Sequence, residues 1–245
     1  MATPPAKDTT TVNRIKTGII GLDDALYGGI PEGTQNLIMG SIGTCKSLLA
    51  FNILYNNAKR GVPCTYVTID QTKEDLLKNI KSAFPDIADV DSLISNKKLN
   101  IAEHRVNDKF YTRESAMLFI AGIIKSAQTN NSRIVVLDSV NLIRSLLDDD
   151  RGFTRMMNSI SENLHIVGVT SITIIEIPEK DPDDKIPGLY EQSMFDGIIR
   201  LTNAVSNGIT THFGKVTKLR FSSYKSATNR IQITPTGLTL TEVKA

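Results

Sequence analysis

The chain has 245 residues, a length that can bury a large core without disulfide staples. Hydrophobic residues make up 40% and charged residues 22%, which excludes a disordered chain, a collagen-like fibre and a disulfide-built mini-domain. A formal net charge of +2 gives no general preference for nucleic acid or for an anionic membrane surface.

The cysteine content and the apolar runs bear on where the protein works. Cys45 and Cys64 form neither a disulfide framework nor a C-x-x-C pair, which favours a reducing compartment. The first residues lack the apolar core of a signal peptide. The longest apolar stretches, such as residues 116–124, are too short to span a bilayer. We therefore expect a cytoplasmic protein with no membrane insertion.

The chain divides into a short tail and one domain. Residues 1–12 are rich in Thr and Pro and have little to bury, so they are predicted to be a mobile tail ahead of a single domain at 13–245. Apolar spacing then predicts alternating strands and helices. The strands are expected at 34–40, 63–69, 99–102, 133–137 and 166–177, and the helices at 46–59, 73–84, 112–128 and 153–164. Thr72 and Asp75 are placed to cap the second of these helices.

The character of the sequence changes after residue 178. Short strands are predicted at 196–201, 212–222, 229–233 and 238–243, with no long helix between them. The predicted fold class is therefore α/β, a mostly parallel twisted sheet flanked by helices with an antiparallel strand extension at its C-terminal end.

A glycine-rich segment at residues 40–47, called the P-loop below, joins the first long strand to the first long helix. It fits the phosphate-binding pattern G-x-x-x-x-G-K-[ST] except at one position. Backbone N–H groups at a helix N-terminus bind phosphate because the helix dipole favours negative charge there. Lys46 would reach the β- and γ-phosphates, and the Ser47 hydroxyl would hold Mg²⁺. The predicted nucleotide-binding residues are Gly40, Ser41, Ile42, Gly43, Thr44, Cys45, Lys46, Ser47 and Leu48.

The exception is Cys45, which stands where the pattern has its second glycine. A Cβ and a sulfur atom at this point would crowd the phosphates, so nucleotide affinity or hydrolysis would suffer. A thiol at a helix N-terminus also tends towards a lowered pKa, which would make the site redox-sensitive. The alternative is that Cys45 is a tolerated small residue.

Two carboxylates follow predicted strands. Asp138 ends the apolar strand at 133–137, where an acid of a P-loop protein holds the Mg²⁺ shell; the alternative is a helix N-cap. Asp70 and Gln71 end the strand at 63–69, where a carboxylate could orient an attacking water and Gln71 could position it. Capping of the next helix is the alternative for Asp70.

Two cations, Lys218 and Arg220, lie on a late predicted strand, where strand alternation would place them on one face. They could reach phosphates within the subunit or across a subunit interface. A solvated basic strand would show the same pattern. An acidic run, Asp148 to Asp150, is interpreted as a solvated loop, with a cation site as the alternative.

The segment leading into the P-loop, residues 17–33 (TGIIGLDDALYGGIPEG), resembles KaiC-like ATPases of the RecA superfamily. The likeness continues through 58–61, 66–69, 135–139, 196–201 and 233–238, so it covers nearly the whole chain from about residue 14. Archaellum accessory ATPases of the FlaH type also resemble this architecture. They are single-domain KaiC-like proteins that act as nucleotide-regulated platforms.

The resemblance implies a RecA-type core, ATP with Mg²⁺, and a homo-oligomeric ring, often a hexamer, with nucleotide at the subunit interfaces. It places Asp70 and Gln71 where such proteins carry paired catalytic glutamates, so one carboxylate is shortened and the other is lost. It places Lys218 and Arg220 on the stretch that reaches the neighbour's nucleotide, where Phe221 replaces a glycine. A γ-phosphate sensor is expected near residues 169–172.

Three functions follow as hypotheses. Because the departures at Cys45 and Gln71 concern hydrolysis more than binding, the first is an ATP-dependent regulatory or assembly switch with slow turnover and an unidentified protein partner. The second is a competent ATPase. The third is a DNA-binding recombinase paralogue, which is disfavoured by the net charge of −3 over 178–191, although the net charge of +5 over 213–245 would suit DNA.

Overall fold

The computed structural model describes residues 12–105, 113–147, 150–177 and 194–243. The strands are β1 (Arg14–Ile15), β2 (Ile30–Pro31), β3 (Gln35–Gly40), β4 (Cys64–Thr68), β5 (Leu99–Glu103), β6 (Ile134–Asp138), β7 (Thr170–Glu176), β8 (Gly197–Ser206), β9 (Ile209–Leu219), β10 (Thr228–Thr234) and β11 (Gly237–Glu242). The helices are α1 (Leu22–Ala25), α2 (Lys46–Lys59), α3 (Lys73–Ala83), α4 (Val90–Ser95), α5 (Arg113–Thr129), α6 (Asn141–Leu146) and α7 (Asp150–Ile166).

Nine of these strands form one mixed sheet in the order β11-β10-β9-β8-β3-β7-β6-β4-β5. All neighbouring pairs are parallel in the part of the sheet that runs β8-β3-β7-β6-β4-β5. The ladders from β8 to β9, β10 and β11 are antiparallel. The predicted α/β class, with a parallel core and an antiparallel C-terminal extension, is confirmed.

The central strand β6 shows why the sheet is covered on both faces. All five of its residues are buried, and alternate side chains enter two separate clusters. Ile134 and Val136 pack on the side that α2 covers, whereas Val135 and Leu137 pack on the side of α5 and α7. A continuous apolar strand is what a parallel sheet between two helical layers requires.

Most predicted elements lie within a few residues of the observed ones, and α2 has the predicted bounds. The Thr72 hydroxyl accepts a hydrogen bond from the Asp75 N–H at 3.0 Å, so the predicted cap of α3 is confirmed. The strand predicted at 166–177 is wrong at its start. Ile166 ends α7, and Gly168 turns the chain in the left-handed region (φ 72°) before β7.

Some predictions fall outside the described residues. These are the tail at 1–12 apart from its last residue, the side chains of Asp148 to Asp150, and the acidic segment of 178–191.

Candidate functional site

The P-loop leaves the carboxyl end of β3 and enters α2. Gly43 has φ 73°, and Cys45, the N-cap residue of α2, has φ 68°. Left-handed backbone costs a residue with a Cβ about 1–2 kcal/mol, and glycine avoids this cost. The phosphate-binding pattern therefore has glycine at this position because the backbone is left-handed there. Cys45 adopts the same backbone conformation under strain.

Burial changes the expectation for the Cys45 thiol. The predicted lowering of its pKa by the helix N-terminus is wrong, because burial raises the pKa and the neighbouring Lys46 ammonium offsets only part of the rise. Among the described residues, the Cys45 side chain makes no hydrogen bond that caps α2. The first-turn N–H groups of the helix thus keep their capacity to bind an anion.

The P-loop lysine is buried and surrounded by oxygen atoms. Lys46 is 8% exposed, and its Nζ donates a hydrogen bond to the Ser41 carbonyl at 2.6 Å. The same Nζ lies 3.8 Å from Glu176 Oε2. Burial lowers the pKa of Lys46, while the carboxylates of Glu176 and Asp138 act in the opposite direction. The ammonium therefore stands at the point where the pattern places the phosphates.

Asp138 lies beside Ser47 at the same edge of the sheet. Its carboxylate is buried (3% exposed), accepts a hydrogen bond from the Tyr66 hydroxyl and lies beside the Ser47 hydroxyl. Burial raises the pKa of Asp138, and the two hydroxyls limit the rise. Val140, not Asp138, is the N-cap residue of α6, so the capping alternative is excluded.

This donor set suits magnesium. A carboxylate and a hydroxyl are hard oxygen ligands, and Mg²⁺ in nucleotide sites takes one or two protein oxygens together with phosphate oxygens. The Ser47 hydroxyl lies close enough to lower the pKa of the Asp138 carboxyl, so both oxygen donors are within reach of one cation.

The second carboxylate, Asp70, reaches the same edge from β4. Asp70 is exposed and accepts a hydrogen bond from the Ser139 hydroxyl at 3.2 Å, next to Asp138 in the chain. The N-cap residue of α3 is Thr72, so Asp70 does not cap that helix. The Gln71 carbonyl accepts a hydrogen bond from the Thr68 hydroxyl at 2.8 Å and shapes the turn that presents Asp70.

Lys218 and Arg220 lie at the opposite edge of the sheet. Lys218 is paired with Ile198, which is paired with Leu37, three residues before the P-loop begins at Gly40. Three strand residues span about 10 Å, and the P-loop continues away from that point. Arg220 follows β9 and forms an ion pair with Asp196 at 3.4 Å. The structure therefore does not bring these two cations to the P-loop of their own chain.

The expected γ-phosphate sensor segment is also displaced. Thr170 and Ser171 begin β7 at the edge away from the P-loop, where the Thr170 hydroxyl accepts the Gly33 N–H at 2.8 Å and the Ser171 hydroxyl donates to Gln35. The carboxyl end of β7 is Glu176, which is paired with Gly40. The expectation for 169–172 is thus wrong, because β7 begins later than predicted and its other end meets the site.

The sequence model of the family described as "ATPase: KaiC" matches residues 15–245. The chain belongs to the KaiC family of ATPases. It is 28% identical over 238 residues to a UPF0273 protein of Pyrococcus furiosus, an alignment that covers 93% of each chain. It is 25% identical over 236 residues to a UPF0273 protein of Thermotoga maritima, covering 94% of this chain and 96% of the relative.

The chain is also similar to the circadian clock oscillator protein KaiC of Picosynechococcus, with 26% identity over 234 residues. That alignment covers 94% of this chain but 44% of the clock protein, so the chain spans less than half of that relative. In the described residues, no helix is long and apolar enough to cross a membrane.

This KaiC-family chain has site residues that sequence reasoning missed. The buried Tyr66 hydroxyl contacts both Asp138 and Ser47. The Glu176 carboxylate faces the Lys46 ammonium. Asn203 donates to the Gly43 carbonyl at 3.3 Å and contacts His212 Nδ1 at 2.7 Å. Glu176 could have been found because it ends a strand of the parallel sheet. The other contacts join residues far apart in the sequence.

Proposed function

We propose that this protein is a nucleotide-dependent regulatory or assembly switch that binds ATP with Mg²⁺ and hydrolyses it slowly. One observation carries the proposal: Lys46, Ser47 and Asp138 converge beside the N-terminus of a 14-residue helix at the carboxyl edge of the parallel sheet. Membership in a family of ATPases supports ATP as the nucleotide.

Each group has a role that follows from its charge and position. The first-turn N–H groups of α2 would bind phosphate oxygens, and the Lys46 ammonium would neutralise charge on the β- and γ-phosphates. Ser47 and Asp138 would hold Mg²⁺. Bound Mg²⁺ withdraws electron density from phosphate oxygens and so stabilises the charge of the transition state.

Slow hydrolysis follows from the residues that would activate water. Asp70 is the carboxylate predicted for this role, and it is exposed and bound to the Ser139 hydroxyl. Gln71 is a poor base that can only position a water molecule. The strained backbone at Cys45 adds a second departure from the pattern beside the phosphates.

Lys218 and Arg220 support completion of the site between subunits. They lie at the sheet edge away from the P-loop, so the nucleotide that they would contact is that of another copy. A ring in which this edge of one subunit faces the P-loop of the next, with six copies as the expected number, would bring them into place. A protein partner that responds to the nucleotide state completes the proposal.

A competent ATPase is the second candidate, and the position of Asp70 beside Ser139 and Asp138 favours it. The test of binding is titration of the protein with fluorescent ATP in Mg²⁺, with Lys46→Ala as the variant and Lys59→Ala, at the other end of α2, as the control. We expect saturable binding that is lost in Lys46→Ala and retained in Lys59→Ala. Equal binding by Lys46→Ala would contradict a site at the P-loop.

A further inference from the structure

The P-loop lysine has a carboxylate competitor within its own chain. Lys46 Nζ donates to the Ser41 carbonyl at 2.6 Å and stands 3.8 Å from Glu176 Oε2. The Lys46 side chain is 9% exposed and that of Glu176 is 41% exposed, so the carboxylate reaches inward from the solvent side. The carboxylate of Glu176 thus lies beside the Lys46 ammonium, which is the group that phosphate oxygens would contact.

The position of Glu176 is set by a two-point clamp. The Asn141 side chain donates from Nδ2 to the Glu176 carbonyl at 2.9 Å and accepts from the Glu176 N–H at 2.7 Å through Oδ1. The β6–β7 ladder ends at the pair Leu137 and Thr173, so on its β6 side Glu176 is bonded to Asn141 in place of a strand residue. On the other side, the Ile177 N–H donates to the Gly40 carbonyl at 3.1 Å.

We propose that Glu176 is a specificity-determining residue that lowers the preference of the site for the longer phosphate chain, and that Asn141 is the residue that positions it. This inference rests on the proposed nucleotide site. A terminal phosphate must share Lys46 with a carboxylate fixed beside it. ATP carries one more phosphate, and more negative charge, than ADP, so repulsion by Glu176 acts more strongly on ATP.

The test is the ratio of ATP to ADP affinity in the full-length protein, measured by calorimetry in Mg²⁺ at fixed ionic strength. Glu176→Gln keeps the shape of the side chain and removes its charge. A partly exposed charge pair contributes up to about 1 kcal/mol, which corresponds to about a fivefold change in affinity. We expect ATP affinity to rise about fivefold and ADP affinity to rise less than about twofold.

A matched control is Glu32→Gln. Glu32 also pairs with a cation, Arg133, at 3.1 Å, and its side chain is 33% exposed. It precedes β3, at the sheet edge opposite the P-loop. Glu32→Gln should leave the affinity ratio unchanged, so a shift common to both variants would show a general effect of net charge and would overturn the inference.

The role of Asn141 is tested by a double-mutant cycle. Asn141→Ala should shift the ATP:ADP ratio in the same direction as Glu176→Gln, and should add nothing in the Glu176→Gln background. Thermal unfolding of each variant separates loss of structure from a change in the ratio. An additive shift, or none, would overturn the positioning role.

The outcomes separate this inference from the proposed function. Wild-type protein that binds neither nucleotide would refute the proposed function itself. Wild-type protein that binds both, with a ratio unchanged or an ATP affinity weakened in Glu176→Gln, would refute only the competition by Glu176.

Discussion

Removing the hydroxyl of Tyr66 perturbs the buried support of the magnesium site without touching the surface. Tyr66 lies on β4 and is fully buried, and its hydroxyl donates to the Asp138 carboxylate and contacts Ser47. In Tyr66→Phe the ring still fills the core, but the buried carboxylate loses one hydrogen-bond donor. Water has little access to replace it, because Asp138 is 3% exposed.

The magnitude follows from the charge and burial of the acceptor. A hydrogen bond to a charged group contributes about 1.5–3 kcal/mol, and its loss in a buried position is not repaid by solvent. We therefore expect the free energy of unfolding to fall by about 2 kcal/mol in Tyr66→Phe. For a chain of this size that corresponds to a Tm about 4–8 °C lower.

A second tyrosine provides the comparison. Tyr55 is buried and donates to Asp89, but the Asp89 side chain is 42% exposed, so water can replace the lost hydroxyl. Tyr55→Phe should cost less than about 1 kcal/mol. The assay is urea unfolding followed by circular dichroism, with similar m-values required of all three proteins. A loss of stability in Tyr66→Phe no larger than that in Tyr55→Phe would show that burial of Asp138 does not strengthen its hydrogen bond with Tyr66.

Three further predictions concern the thiols, a strained aromatic residue and a half-buried histidine. Burial raises the pKa of Cys64 to about 12 and also raises that of Cys45, so at pH 8 a thiol reagent should label Cys45 slowly and Cys64 only after unfolding; rapid labelling of both would contradict this. Phe221 is 65% exposed with φ 62°, so Phe221→Gly should raise the free energy of unfolding in urea by about 0.5–1 kcal/mol, and a decrease would be the opposite result. Burial lowers the pKa of His104 in the folded protein. As the pH falls, His104 is therefore protonated in the unfolded chain before it is protonated in the folded one. The free energy of unfolding should therefore decrease as the pH is lowered below about 6.5, and it should decrease less steeply in His104→Gln. Equal pH dependence in the two proteins would exclude His104 as the cause.

Local chemistry explains why much of the fold could be predicted. α2 has the predicted bounds because a glycine-rich turn precedes it and Arg60-Gly61 ends its apolar period. β6 can be predicted from the sequence because it is a near-continuous apolar run. The start of β7 cannot, because the apolar residues Ile166 and Val167 continue the apolar pattern from the helix up to the turn at Gly168. Hydrophobicity alone does not show where one element ends in such a run.

The candidate site was predictable where residues follow parallel strands. The carboxyl ends of β3, β4 and β6 share one edge of the sheet, so Lys46, Asp70 and Asp138 were placed together from the sequence. The position of Lys218 was not predictable, since it depends on the register of β9 against β8. The contact of Tyr66 with Asp138 also depends on strand pairing, through the neighbouring β4 and β6.

Slow turnover of a nucleotide switch is measured by phosphate release from ATP with Mg²⁺ over a range of protein concentrations, with Lys46→Ala as the control. We expect a release rate well below the roughly 1–10³ s⁻¹ common among enzymes, rising more than linearly with protein concentration and absent in Lys46→Ala. Fast release linear in concentration would contradict slow turnover and completion between subunits, and release unchanged in Lys46→Ala would contradict the site itself.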